Sequence, residues 1–138
     1  MEKFFASCPR GLEQLLLEDL VAAGARDLKP IFGGVHFLAD WPVCYRANLY
    51  SRIATRILWR VALAPYGNEE DIYRLALDTP WPRCFVPEQT IRVDVNAVKS
   101  PLKSLEFVTL RIKDAICDRF RRETGKRPSV DTRQPDLR

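Results

Sequence analysis

Hydrophobic and polar positions follow two different periods along this chain, and the switches between them mark its elements. KFFASC is a short apolar run ending at Pro9, and in the following GLEQLLLEDLVAAGA the residues Leu12, Leu15, Leu16, Leu20 and Ala23 recur at helical spacing up to Gly24. A glycine there can take the left-handed cap, so the pattern predicts a strand and then an amphipathic helix. In DLKPIFGGVHFLAD, two β-prone runs, LKPIF and VHFLA, hinge on Gly33-Gly34, a pair able to take the positive φ angles of a tight hairpin. Asp40 can cap a second helix that tolerates Pro42 in its first turn, and WPVCYRANLYSRIATRI sets Val43, Ala47, Tyr50, Ala54 and Ile57 on a common face. LWRVALA reads as a fourth strand. The order β-α-β-β-α-β over about 66 residues is the ferredoxin-like arrangement of four antiparallel strands backed by two helices.

Pro65-Tyr66-Gly67-Asn68 is rich in turn formers and marks the expected boundary, giving domains 1–66 and 67–138. Beyond it, NEEDIYRLALDTPW reads as a helix with acidic residues in its first turn, stopped by Pro80, and PRCFVPE as a connection or single helical turn. QTIRVDVNAV alternates as a strand with Ile91, Val93 and Val95 on one face. SLEFVTLRIKDAICDRFRRETG carries an apolar stripe of Leu105, Val108, Ile112, Ile116 and Phe120, with Arg111, Asp114, Asp118, Arg121 and Arg122 turned away, and Gly125 closes that helix. KRPSVDTRQPDLR has no period and reads as a surface connection whose end could begin another strand. One strand cannot satisfy its own backbone groups, so the second domain is expected to be incomplete at its C-terminus.

Composition narrows the function. At 46% hydrophobic, the 138 residues match a folded chain; no apolar run reaches the length of a membrane span, and MEKFFASCPRG is too short for a secretory signal, so a cytoplasmic location is expected. Cys8, Cys44, Cys84 and Cys117 lie too far apart for a metal clamp and read as small buried hydrophobes, while the lone His36 leaves no histidine pair. Neither a Walker-type loop nor a G-x-G-x-x-G turn occurs, and no acid, base and nucleophile converge, so no metal, cofactor or catalytic residue is expected here. The charge is uneven: residues 1–98 hold 11 basic and 12 acidic side chains, residues 99–138 hold 11 and 6. A basic last third suits a polyanion such as RNA, and equally a solvated helix face. Arg52, Arg56 and Arg60, every fourth residue at the end of the second helix, form a competing basic stripe.

FFASCPRGLEQLLLEDL, FGGVHF, LYSRIATRI, and LRIKDAICDRF with RPSVDTRQPDLR together resemble the N-terminal half of a bacterial large-subunit ribosomal RNA guanine-N2 methyltransferase with a THUMP domain, essentially end to end. The resemblance implies an α+β chain, a ferredoxin-like βαββαβ domain followed by a partial THUMP domain. It implies a THUMP module that binds RNA, with 23S rRNA as the partner, and a separate S-adenosylmethionine-dependent catalytic domain. That domain, with its Asn-Pro-Pro-Tyr type motif, is absent from these residues. Division of labour follows as the expected mechanism: the two small domains grip rRNA while a distant domain transfers the methyl group. The expected phosphate contacts are Lys99, Lys103, Arg111, Lys113, Arg121, Arg122, Lys126, Arg127 and Arg133. The rival readings are a protein-interaction module docking through an open sheet edge or the Arg52/Arg56/Arg60 stripe, and the THUMP region of a tRNA-modifying enzyme.

Overall fold

Alternation along Glu2–Ser7 (β1) sends Phe4 and Ala6 to one side, and this strand becomes the centre of the first sheet. The computed structural model describes residues 1–138 and divides into two units, Met1–Val61 and Ala62–Arg138. In the first, Glu13–Ala23 (α1) follows β1, then Arg26–Ile31 (β2), Gly34–Ala39 (β3), Trp41–Tyr50 (α2) and Arg56–Trp59 (β4). The sheet is antiparallel in the order β2-β3-β1-β4, with Phe5 opposite His36 on β3 and Leu58 on β4. Phe4, Ala6, Val35, Phe37 and Ala39 meet Leu16, Leu20, Ala23, Cys44 and Ala47 in one core. Each large side chain buried there contributes about 1.5–3 kcal/mol.

Two of the sequence motifs meet in one joint. Glu13 of SCPRGLE accepts hydrogen bonds from the backbone N–H of Gly11 and of Gly33, both at 2.9 Å. The Cys8 N–H donates to the Gly33 carbonyl, and the Arg10 guanidinium lies 4.4 Å from the centre of the Phe32 ring. The Gly33 and Gly11 amides hold the Glu13 carboxyl below the usual glutamate range. The hairpin glycines differ in role from the expectation. Only Gly33 takes a positive φ, of 87°. At Gly34 a Cβ would run into the Ala6 carbonyl and the Phe5 ring, so that glycine answers a close approach.

The second helix is shorter than the periodicity predicts. Asp40 caps it, accepting from the Val43 N–H at 3.1 Å, but it ends at Tyr50, and Tyr50 is exposed. The Ser51 hydroxyl donates to Asp19 at 2.8 Å and accepts from the N–H groups of Ile53 and Ala54, which turns the chain out of the helix. The fourth strand therefore starts at Arg56, earlier than LWRVALA, and Ile57 packs from a strand. Arg52, Arg56 and Arg60 thus fall on a loop, a strand and the residue after it, and no helical stripe exists. Leu15, placed on the apolar face by spacing, is 47% exposed.

In the second unit Glu69–Asp78 (α3), capped by Asn68, packs on Leu105–Thr124 (α4), which begins at Ser104 and ends at Gly125 with φ 73°. A 3-10 turn, Trp81–Arg83, joins them to a core of Phe85, Ile91, Ile116 and Phe120, with Ile112 and Leu137 against it. Leu105 is 39% exposed rather than core. QTIRVDVNAV does not form a strand. Ile91 alone makes bridges, parallel to Val130 and to Leu137. Beyond Val130 the Asp131 carboxylate accepts from the Arg133 and Gln134 N–H groups and turns the chain, so the bridge at Ile91 does not grow into a ladder with Val93 and Val95. The tail is more than a surface connection: Pro128 is fully buried and Val130 and Leu137 flank Ile91.

Candidate nucleic-acid interface

Helix α4 positions most of the basic residues, and its packing sorts them. Val108, Ala115, Ile116 and Phe120 face inward. Arg111 and Asp118, expected to turn away, are instead drawn onto α3. The Tyr73 hydroxyl donates to Asp118 at 2.6 Å, and Arg111 pairs with Glu70 at 3.2 Å while lying 4.0 Å from the centre of the Tyr73 ring. The Asp118 hydrogen bond, then burial, pushes the Tyr73 hydroxyl pKa up. Arg119 donates to the Leu77 and Asp78 carbonyls and so closes the C-terminus of α3. Arg111 therefore has the least freedom to meet a ligand.

Lys113, Cys117 and Arg121 follow one another at i, i+4 and i+8, and Arg127 lies close by beyond the Gly125 cap. The buried Cys117 thiol senses all three cations, although desolvation outweighs them and its pKa is raised. Lys113 pairs with Asp114 at 2.6 Å and Arg121 with Asp118 at 3.9 Å, whereas Arg122 and Arg127 enter no ion pair. Lys126 reaches Glu88 at 3.5 Å, a pair exposed enough for solvent to weaken strongly. The C-terminal end of α4 is thus a basic cluster of Arg121, Arg122, Lys126 and Arg127, with Lys113 at mid-helix, two turns before Arg121. The C-terminal helix dipole also favours cations there.

Lys99 and Lys103 belong to a different place. They stand in the loop before Ser104, at the opposite end of a helix of 20 residues, about 30 Å long. Lys99 takes a left-handed φ of 48°, and neither lysine has an acidic partner. Arg133 lies on the loop after Val130, where the Asp131 carboxylate accepts from the Arg133 and Gln134 N–H groups. Those amides hold the Asp131 carboxyl below its ordinary range. The nine candidates therefore divide into a cluster of four at the C-terminal end of α4, Lys113 at mid-helix, a lysine pair before its N-terminus, Arg133 on its own loop, and Arg111 on the α3 side.

Other chemistry is sparse. Burial raises the thiols of Cys8, Cys44 and Cys84 as well, which makes them poor nucleophiles. No group of three His, Cys, Asp or Glu side chains is placed to hold a metal, and no helix is long and apolar enough to cross a membrane. Two concavities, of about 250 and 270 Å3, are open dents. Neither has a glycine-rich turn or an apolar slot of the kind a nucleotide-like ligand needs.

Residues 66–138 match the THUMP domain family and residues 3–58 the RlmL ferredoxin-like domain. Across 138 residues the chain is 38% identical to the ribosomal RNA large subunit methyltransferase K/L of Aeromonas salmonicida, covering 100% of this chain and 19% of that protein. A similar protein of the same name from Cellvibrio japonicus is 37% identical over 137 residues. The chain thus spans about a fifth of the length of these curated relatives. Among solved structures, a predicted N6-adenine-specific DNA methylase from Listeria monocytogenes superposes with a TM-score of 0.85 at 25% identity, over 93% of this chain and 34% of that one. TrmN from Thermus thermophilus gives 0.72 at 25% identity, over 98% and 40%.

Proposed function

The chain belongs to the THUMP domain family, with an RlmL ferredoxin-like domain preceding the THUMP domain, and from that membership we propose that it is the RNA-binding region of a large-subunit rRNA (guanine-N2) methyltransferase. The observation that carries this is the 38% identity across every residue to a ribosomal RNA large subunit methyltransferase. In this reading 23S rRNA is the ligand and the cytoplasm the place of work. The two units position the RNA, and a catalytic domain outside these residues methylates it. S-adenosylmethionine would serve that other domain as methyl donor. No residue here is assigned to it.

The grip is electrostatic and local. Arg121, Arg122, Lys126 and Arg127 present cations around the end of α4, with Lys113 two turns back along the helix, where an RNA backbone could satisfy several with successive phosphates. Lys99, Lys103 and Arg133 would add contacts farther along the strand, and Arg111 stays with α3. Phosphate contacts of this kind release counterions, so each one steepens the salt dependence of binding.

The test is the Lys126→Ala/Arg127→Ala/Arg133→Ala variant, titrated with a structured rRNA fragment across a salt series beside the unmodified chain. Three lost phosphate contacts should weaken binding and make the slope of log affinity against log salt shallower by about three. An unchanged slope would remove these residues from the interface.

A further inference from the structure

The face of the first sheet that the helices leave open has a specific side-chain pattern. Because Phe4 and Ala6 point to the core, Lys3, Phe5 and Ser7 point the other way, as do His36 and Leu38 on β3. The register lines Lys29, His36, Phe5 and Leu58 into one row across all four strands. Phe5 and His36, on the two central strands, lie with ring centres 4.7 Å apart, tilted at 43°. Both are half-buried and neither belongs to the core cluster. The Phe5 ring occupies the space that a side chain at Gly34 would need, so it lies low across the sheet rather than standing up from it.

Cations surround this aromatic pair. Arg56 stands opposite Ser7, and Arg60, Lys3 and Lys29 border a shallow concavity of about 250 Å3 beside His36. Asp27 is the one acid on its rim, and it is paired with Lys29 at 3.6 Å. Lys3, Arg56 and Arg60 have no acidic partner. Two rings at the centre of an antiparallel sheet, bordered by unpaired cations, make the arrangement that single-stranded RNA recognises: bases stack on the rings while the backbone runs past the charges.

We propose that this open face is a stacking platform for single-stranded RNA, with Phe5 and His36 as the base contacts and Lys3, Arg56 and Arg60 as phosphate contacts. It rests on the reading of the chain as an RNA-binding region and adds a second, chemically distinct surface to the basic cluster on α4. Stacking has no strong base preference, so the platform would hold an unpaired loop or flank rather than read a sequence. The face is also suited to strands over duplexes, because stacked bases within a helix cannot reach the rings.

The experiment titrates the 138-residue chain with a single-stranded oligoribonucleotide and with a blunt RNA duplex at one salt concentration. The variants are Phe5→Leu, which keeps apolar bulk but removes the π face, and Arg56→Ala/Arg60→Ala, which removes one exposed and one half-buried cation, both outside the core. The proposal predicts that each variant binds the single strand about tenfold or more weakly and the duplex as before. It also predicts that the His36 ring protons shift upfield when the strand binds to the unmodified chain. If Phe5→Leu does not fold, the arginine pair decides. Unchanged single-strand affinity in folded variants overturns the platform and leaves the face to a protein partner, with the RNA grip on α4 intact. Duplex binding without single-strand binding overturns it likewise. Failure of the unmodified chain to bind either RNA overturns it together with the reading on which it rests.

Discussion

Adjacent glycines at the hairpin should respond to the same substitution by different mechanisms and to different extents. Gly33 has φ +87° with nothing within 4 Å of a built Cβ, so Gly33→Ala meets only the backbone cost of the left-handed region, about 1–2 kcal/mol. Gly34 has no such strain, but its Cβ would meet the Ala6 carbonyl and the Phe5 ring. The ring can move, whereas the carbonyl belongs to the central strand, opposite β3 at Val35. Relief requires β1 and β3 to part locally, which places Gly34→Ala at the upper end of overpacking costs, about 3 kcal/mol or more. A unit of this size is stabilised by only about 3–9 kcal/mol, so the substitution would remove much of that. Denaturant unfolding followed by the fluorescence of Trp41 and Trp59, both in the first unit, measures each variant. Since Trp81 adds signal from the second unit, a Trp81→Phe background isolates the transition. A Gly34→Ala midpoint equal to or higher than that of Gly33→Ala would refute the close-approach argument.

Two further outcomes follow from the packing and the ion pairs. Phe120 is 0% exposed and tilts against Phe85 at 4.8 Å between ring centres, so Phe120→Ala should destabilise the second unit by about 3–5 kcal/mol, measured by thermal or denaturant unfolding. The Arg138 hydrogen bond, with Arg92 close by, holds the Asp94 carboxyl below its ordinary value. A depressed folded-state pKa contributes stability that is present above the unfolded value and is lost as pH falls through the folded one. The Arg138–Asp94 tie should therefore loosen below roughly pH 4, and in Arg138→Ala the Asp94 titration followed by NMR should move upward toward the ordinary aspartate value.

What could be read from the sequence was mostly local. Gly24 and Gly125 close α1 and α4 as expected, Asp40 caps α2, and the βαββαβ order with its four-stranded antiparallel sheet appears. Helical spacing overran α2 because Ala54 and Ile57 happen to continue its period, while the competing hydrogen bonds of Ser51 reach Asp19, far away in sequence. With that helix went the arginine stripe. The alternation of Ile91, Val93 and Val95 was legible, but whether an alternating run becomes a strand depends on partners such as Val130 and Leu137 that no local pattern names. The basic residues were found by charge and by their place along the chain. Which of them α3 would engage could not be read, since Tyr73 and Glu70, which hold Arg111, lie on another helix. Phe5 was hidden by its neighbour: with Phe4 beside it, the pattern does not say which ring enters the core, and the outward one is the candidate for stacking.

The most direct test of the central claim is the affinity of the 138-residue chain for a structured rRNA fragment and for a DNA duplex of equal length, each followed across a salt series. The account predicts tighter binding to the RNA, with affinity falling steeply as salt rises. Equal affinity for the two, or no binding to RNA at low salt, would contradict it.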